Sequence, residues 1–165
     1  MAVVAAVSHP HDHSHCVTSA LAQAEELCAK RGARLTHNRR RILALVWQSH
    51  APVGAYELLE RLREEGMSAA PPTVYRALDF LISHGLVHRI ETRNAFIGCP
   101  QPQHEHDAQY LLCEGCGDAV EIEVGGVRRR IEALAAQHGF SIAAQTIEAR
   151  GLCSRCQPGA ADGRA

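Results

Sequence analysis

The sequence lacks an apolar run approaching the roughly 20 residues that a membrane-spanning helix requires. Its alanine- and valine-rich start, residues 2–7, also lacks the basic residue and the length of an export signal. Large net charge is absent as well, since 17 Lys and Arg nearly balance 18 Asp and Glu. We therefore expect a cytoplasmic protein.

An even cysteine count is also missing. Seven cysteines exclude a scaffold in which every thiol is disulfide-bonded within one chain, whereas histidine is abundant at 11 copies. Metal binding is the simplest explanation for both features. A chain of 165 residues forms one domain or two short ones, and short domains gain stability from a metal or a partner subunit.

Two paired-cysteine motifs carry the strongest signal. Cys113 and Cys116 form one C-x-x-C pair, and Cys153 and Cys156 form a second. Together they supply four thiolates to a tetrahedral zinc ion, and we expect a strand and a helix in the 36-residue gap between the pairs. Two disulfides or a redox dithiol remain as alternatives. The lack of a secretory segment and of a thioredoxin-type sequence favours structural zinc.

A basic run lies in the first half of the chain, beside predicted helices. It contains no acidic residue and consists of Arg31, Arg34, Arg39, Arg40 and Arg41. Taken alone, such a run indicates a solvated helix face. The helices and the hairpin predicted around it favour nucleic-acid binding instead.

Apolar residues at helical spacing predict four short helices joined by tight turns, which is the pattern of a helix-turn-helix. The first helix is predicted from a cap at Thr18 or Ser19 to Arg31, and the second from a cap at Thr36. The third is predicted at 56–65. The fourth runs from residue 71 to its end at Gly85, with Thr73 as cap or first-turn residue. A β-hairpin follows, with strands at 86–91 and 95–99 and a turn at 92–94. A hairpin after a recognition helix is the wing of a winged helix.

In a winged helix, Arg76 would enter the major groove, where its guanidinium can bond guanine. An ion pair with Asp79 or a surface position is the alternative for Arg76. The candidate DNA-contacting residues are Arg76, Tyr75, Thr73, Arg39, Arg40, Tyr56 and Arg93.

The periodicity changes after the linker at 98–108, which holds two prolines and two histidines. Strands are predicted at 110–113, 120–124 and 140–149, with a helix at 127–138. The expected fold class is therefore α/β with two domains, an N-terminal winged helix-turn-helix and a small C-terminal α/β domain.

The string PPTVYRALDFLISHGLVHRIE, a Cys–His linker, CxxCG and GLCSRC together closely resemble the ferric-uptake-regulator family, and within it the zinc-uptake-regulator branch. The resemblance implies a homodimeric bacterial repressor that binds operator DNA, with a C-terminal dimerisation domain and a metal corepressor near the hinge. The expected organisation is 1–17 as a flexible His-rich tail, 18–97 as the winged helix, 98–108 as the hinge, 109–157 as the dimerisation domain and 158–165 as a tail.

Metal ligands follow from the same resemblance. One structural zinc per chain is assigned to the four C-x-x-C cysteines. One regulatory zinc per chain is assigned to a mixed set, His88, Cys99, His106 and Glu121. A thiolate, two imidazoles and a carboxylate suit zinc. Singly, His88 could equally be a solvent-facing strand residue and Cys99 a buried small hydrophobe.

A third metal site is doubtful, because residues 108–110 lack the histidine run of iron sensors. His104, Glu123 and His138 remain as weak candidate ligands. The N-terminal residues His9, His11, His13, His15 and Cys16 could collect metal, although a disordered tail binds weakly.

Three rival functions fit the sequence less well. A zinc deaminase needs His-x-Glu and Pro-Cys-x-x-Cys, and this chain has neither. A peroxide sensor of the same family relies on His and carboxylate ligands, which the thiol of Cys99 disfavours. Nickel or manganese sensors prefer more nitrogen or oxygen ligands. The sequence thus predicts a non-enzymatic, zinc-responsive repressor of zinc-uptake genes.

Overall fold

The computed structural model describes residues 13–49, 51–103, 109–143 and 145–158. The chain divides into two compact units, one containing the described residues up to 103 and the other those from 109 onward. None of the described helices combines the length and the apolar character needed to cross a bilayer.

The first unit begins with four helices: α1 (His13–Lys30), α2 (His37–Val46), α3 (Ala55–Glu64) and α4 (Pro71–Ser83). The predicted stops after α1, α3 and α4 are confirmed. Gly32, Gly66 and Gly85 follow these helices with φ of 63°, 74° and 70°. Glycine adopts this left-handed conformation without the steric cost that a side chain adds. Thr73 lies in the first turn of α4, after Ala70 at the N-cap.

The predicted start of α1 is wrong. The helix begins at His13, inside the segment expected to be a flexible tail, rather than after a cap at Thr18 or Ser19. Thr18 lies within the helix, where its hydroxyl donates to the carbonyl of Ser14 at 2.8 Å. No proline or glycine interrupts residues 13–17, so a helix anchored by its buried C-terminal half can extend through them.

Each helix contributes a buried apolar stripe to one core. The side chains of Ile42, Leu58, Leu78 and Leu81 are fully buried. Burying a side chain of this size stabilises a fold by about 1.5–3 kcal/mol relative to leaving it exposed. The same burial fixes which face of α4 remains outside, since Val74 and Ala77 also point into the core.

A three-stranded antiparallel sheet completes the first unit. It comprises β1 (Val53–Gly54), β2 (Val87–Ile90) and β3 (Ala95–Gly98) in the order β1-β3-β2. The hairpin of β2 and β3 turns through a 3-10 turn at Glu91–Arg93 and a left-handed Asn94, so the predicted wing is confirmed. β1 was not predicted, because two residues are too short for a periodic pattern.

The second unit contains β4 (Gln109–Cys113), β5 (Ala119–Ile122), α5 (Val127–Gln137) and β6 (Ile147–Gly151). The sheet order is β5-β4-β6, with β5 antiparallel and β6 parallel to β4. The predicted strand at 140–149 is wrong in its first part. The ladder of β4 with β6 starts at Gln109 and Ile147, and the described residues 140–143 and 145–146 lie outside this ladder.

Candidate functional site

The parallel pairing of β4 with β6 brings the two C-x-x-C motifs to one end of the second unit. Cys113 closes β4 opposite Gly151, two residues before Cys153. The amide of Glu114 donates to the carbonyl of Gly151 at 2.8 Å, which continues the pairing into the first cysteine turn. Motifs 36 residues apart are therefore joined by strand pairing rather than by a local turn.

The four sulfurs form one compact cluster. The Sγ atoms of Cys113, Cys116, Cys153 and Cys156 all lie within 4.8 Å of one another. Cys116 and Cys153 are separated by 3.8 Å between sulfurs. A tetrahedral zinc with Zn–S bonds of about 2.3 Å has S–S edges of about 3.8 Å, whereas a disulfide measures about 2.05 Å. No disulfide joins the cysteines, all of which lie in the described ranges. The donor set thus fits a closed four-thiolate zinc site.

Backbone amides polarise this cluster before any metal enters. The amides of Cys153 and Cys116 donate to the Cys113 sulfur at 3.3 and 3.5 Å, and they lower the pKa of Cys113 to about 6. The hydrogen bond with Cys153 raises the pKa of Cys156 to about 12. Thiolates crowded together resist joint ionisation. A bound divalent cation removes that resistance, since it stabilises all four thiolates at once.

Gly115 allows the two cysteine turns to pack. A Cβ atom at this position would lie 2.7 Å from the Cβ and 2.8 Å from the Sγ of Cys156. These separations are shorter than a nonbonded contact permits, so a side chain would push the turns apart. Gly117 serves differently, because it takes a left-handed φ of 83°. The close approach of Gly115 to the second motif depends on the tertiary fold, so motif spacing alone does not indicate it.

Arg155 and Asp118 are two site residues that sequence reasoning missed. Arg155 donates through Nη2 to the sulfur of Cys116 at 3.8 Å, and also to the Asp118 carboxylate. Arg155 and Cys116 lie 39 residues apart in sequence. No local spacing signals such a contact, since it depends on the register of β6 against β4.

Two of the remaining predicted metal ligands lie together in the wing. His88 pairs with Ile97 across β2 and β3, and Cys99 lies two residues beyond Ile97. Alternation along a strand places His88 and Cys99 on one face as diagonal neighbours. Cys99 is buried, and its amide donates to the carbonyl of Leu86 at 3.0 Å.

The other predicted ligands are distributed differently. Glu121 lies half-buried in β5, where it accepts a hydrogen bond from the hydroxyl of Tyr110 at 3.4 Å. Glu123 and His138 are exposed. His106 and His104 lie outside the described residues, as do His9 and His11 of the N-terminal stretch.

α4 presents a polar face opposite its core stripe. Tyr75 and Arg76 are exposed there, and Thr73 is half-buried in the first turn. Arg76 donates through Nε to the carbonyl of Pro72 at 3.2 Å. The alternative ion pair of Arg76 with Asp79 is not formed in the described part of the chain. Tyr56 lies in the first turn of α3 and is 69% exposed, and Arg93 lies in the turn of the wing.

The basic run is largely engaged inside the first unit. Arg39 donates to the carbonyl of Arg34 at 2.7 Å, and its Cζ lies 3.5 Å from the centroid of the Phe80 ring. Arg40 forms an ion pair with Glu25 of α1. These contacts join α2 to α1 and α4, so Arg39 and Arg40 have structural partners that the sequence did not indicate.

Two further arginines of the run also bridge elements. Arg31 donates to the carbonyl of His84 at 3.0 Å. Arg41 forms a two-pronged hydrogen bond with Glu65, one prong running from Nε to Oε2 at 2.5 Å. That bond raises the pKa of Arg41 and lowers the pKa of Glu65.

Known proteins resemble this chain along most of its length. A zinc uptake regulation protein of Escherichia coli (strain K12) is 43% identical over 137 residues, which cover 82% of this chain and 80% of the relative. A zinc uptake regulator solved in complex with zinc and DNA superposes with a TM-score of 0.80 at 41% identity, covering 84% of this chain and 93% of the other. The crystal structure of holo XcZur gives a TM-score of 0.77 at 45% identity, covering 83% and 96%.

The family model described as the ferric uptake regulator family matches residues 30–150. That match includes the helices α2 to α4, the wing, the first cysteine pair and most of β6. The chain therefore belongs to the ferric uptake regulator family.

Proposed function

We propose that the protein is a zinc-responsive transcriptional repressor, which binds operator DNA as a zinc-loaded homodimer and controls zinc-uptake genes. The observation that carries the proposal is the similarity of 84% of this chain to a zinc uptake regulator solved with zinc and DNA, at a TM-score of 0.80. The four-cysteine cluster supports it independently, because its sulfur spacing matches a zinc tetrahedron.

Two zinc ions per chain are proposed. The structural ion takes Cys113, Cys116, Cys153 and Cys156. The regulatory ion takes His88, Cys99, His106 and Glu121. The same-face placement of His88 and Cys99 in the wing supports the second set. The structural ion is assigned no reaction, since a site closed by four thiolates leaves no position for a reactive water.

The proposed DNA contacts centre on the exposed side of α4. Arg76 reads a base from the first turns of α4, and Tyr75, Thr73 and Tyr56 flank it. Arg93 meets the backbone from the wing. When the hydrogen bond from Arg76 to the Pro72 carbonyl breaks, the Arg76 side chain can turn towards a guanine edge. Arg39 and Arg40 are proposed as backbone contacts that also hold α2 in place.

Homodimer formation would present two copies of α4 to successive half-sites, separated by roughly 34–36 Å along the DNA. The second unit carries the surface for it. It exposes five large apolar side chains: Leu111, Val124, Ile131, Leu134 and Phe140. A second copy of this chain would bury them.

Zinc binding at the regulatory set would restrain the chain in its operator-binding conformation. By linkage, operator DNA must raise the affinity for zinc by the same factor as zinc raises the affinity for DNA. This role requires a cytoplasmic location, because the protein meets both the chromosome and free zinc in the cytoplasm.

The test is an operator titration by fluorescence anisotropy at fixed salt, with free zinc, iron, manganese and nickel each set by a metal buffer. Zinc should strengthen specific binding at a lower free concentration than the other ions. A response to iron, manganese or nickel instead, or loss of binding only after peroxide treatment, would assign the protein to another sensing class of its family.

A further inference from the structure

We propose that Arg155, held by Asp118, is a positioning residue that retains zinc in the four-cysteine site by neutralising the thiolate of Cys116. This inference rests on the proposed occupancy of that site by zinc. It concerns a side chain that is not itself a ligand, inside the second C-x-x-C motif but directed to a sulfur of the first.

The geometry shows a guanidinium placed between a sulfur and a carboxylate. Nη2 of Arg155 lies 3.8 Å from the Cys116 sulfur, within the range of an N–H···S hydrogen bond, and the same nitrogen donates to Asp118. Asp118 follows the first cysteine turn and is mostly covered, with 18% of its side chain exposed. Its carbonyl accepts from the amide of Cys113 at 2.9 Å, which fixes its backbone to the same turn.

The charge balance explains why such a cation matters here. Four thiolates around one Zn²⁺ leave about two excess negative charges at the site. Cys116 is the ligand most open to solvent, because the other three cysteines are buried or half-buried. An exposed thiolate is the point at which a proton or a competing chelator can begin to displace the metal. A guanidinium at that sulfur stabilises the thiolate and occupies its outer side.

Arg155 also joins the two motifs mechanically. Its backbone belongs to the turn of Cys153 and Cys156, and its side chain interacts with Cys153 of that turn. Two further partners, Cys116 and Asp118, belong to the first cysteine region. The two turns are therefore linked outside the metal itself. Outer partners of this kind orient the ligands and commonly change metal affinity about 10–100-fold when removed.

The chain offers a matched control beside the same site. Arg150 of β6 forms an ion pair with Glu114 at 3.7 Å, again between the second and first cysteine regions, with side chains 63% and 55% exposed. This pair has the same charges and a similar place in the fold, but the guanidinium of Arg150 is paired with a carboxylate rather than a sulfur. Arg150→Ala therefore removes a nearby positive charge without removing the contact to Cys116.

The experiment measures the rate of zinc transfer from the zinc-loaded full-length protein to the chromophoric chelator 4-(2-pyridylazo)resorcinol. Arg155→Ala should accelerate release about tenfold. Arg155→Lys should restore part of the retention, because it keeps the positive charge. Asp118→Asn should give a smaller acceleration, and adding it to Arg155→Ala should change little, since both act through one contact. Arg150→Ala should release zinc at the wild-type rate.

Far-UV circular dichroism of each zinc-loaded variant verifies folding, and Arg155→Gln replaces Arg155→Ala if the alanine variant does not fold. Release from Arg155→Ala at the wild-type rate, or equal acceleration by Arg150→Ala, would overturn the role of Arg155 while leaving the zinc site in place. A wild-type protein that holds no zinc would instead overturn the proposed function.

Discussion

Cys113 lies directly opposite Gly151 in the parallel ladder of β4 and β6. This one pairing sets the register that brings Cys153 and Cys156 to the first cysteine turn, so the metal centre and the sheet of the second unit form together.

Loss of a ligand should unfold the second unit. Cys113→Ser or Cys156→Ser removes one of four thiolates from a site whose metal supplies on the order of 10 kcal/mol of apparent binding energy. After mild chelation, which removes the regulatory ion, zinc content by plasma mass spectrometry should fall from about one tightly held ion per chain to none. Size-exclusion chromatography should show loss of the dimer. Cys16→Ser in α1 is the control. A metal-free wild-type chain that stays folded and dimeric would contradict the structural role.

Adding a methyl group at Gly115 should weaken the metal centre. Gly115→Ala places a Cβ 2.7 Å from that of Cys156, so the two cysteine turns must separate and the sulfur tetrahedron must widen. The overpacking should cost about 1–3 kcal/mol. Competition with a zinc chelator measures the loss of affinity. Gly125→Ala serves as control, because a Cβ there meets nothing within 4 Å. Equal zinc affinity in both variants would argue against close packing of the turns.

The Arg41–Glu65 pair should make the stability of the first unit depend on pH. Because Arg41 lowers the pKa of Glu65, the stabilisation is complete above the ordinary glutamate pKa and is lost as pH falls through the lowered value. Glu65→Gln should therefore reduce the free energy of unfolding by about 0.2–1 kcal/mol at neutral pH, with the difference shrinking in acid.

Urea unfolding followed by circular dichroism at several pH values measures that difference. Glu57→Gln is the matched control, because its pair with Arg61 lies within α3 and bridges no elements. A difference between wild type and Glu65→Gln that stays constant down to strongly acidic pH would show that the pair does not stabilise the fold through its charge.

Arg76 should carry base preference. Arg76→Ala should cost about 1–3 kcal/mol on the operator and relax selection at one position of each half-site. Arg93→Ala in the wing should weaken operator and random DNA alike and reduce the salt dependence of binding. Anisotropy titrations on both DNAs at several salt concentrations separate the two roles. Equal losses on operator and random DNA would reduce Arg76 to a phosphate contact.

Cys99 should separate sensing from scaffolding. Cys99→Ser lies in the wing, outside both cysteine turns, so the four-cysteine site, the fold and the dimer should persist. The zinc dependence of operator binding should disappear, because a serine hydroxyl stays protonated near neutral pH and binds zinc poorly. Titration against buffered zinc checks this. A mutant that retains the full zinc-induced gain in operator affinity would exclude Cys99 as a sensing ligand.

Patterns within one element were predictable. The helical spacing of Leu58 and Leu62 in α3, and of Leu78 and Leu81 in α4, depends only on which face is buried. The wing was predicted from two short strand patterns on either side of a turn that ends in Asn94. The four cysteines were identified because C-x-x-C spacing itself carries the chemistry.

Features that depend on pairing between elements were not predictable. The alternation of Phe140 and Ile142 is typical of a strand, yet the ladder with β4 starts only at Ile147. The contact of Arg155 with Cys116 and the stacking of Arg39 on Phe80 require the tertiary register. The predicted start of α1 was wrong because a residue suited to an N-cap, such as Thr18, does not set the N-terminus when the residues before it can also be helical.

Closure of the second unit by its cysteine turns has a topological consequence. A metal held by Cys113 and Cys156 fastens the ends of a long loop, which contains β5, α5 and β6. Like a disulfide spanning a similar length, this cross-link would lower the conformational entropy of the unfolded chain and so stabilise the fold by about 4 kcal/mol. Unlike a disulfide, it persists where thiols are kept reduced and opens when a chelator takes the ion, so the fold of this unit would follow the supply of metal.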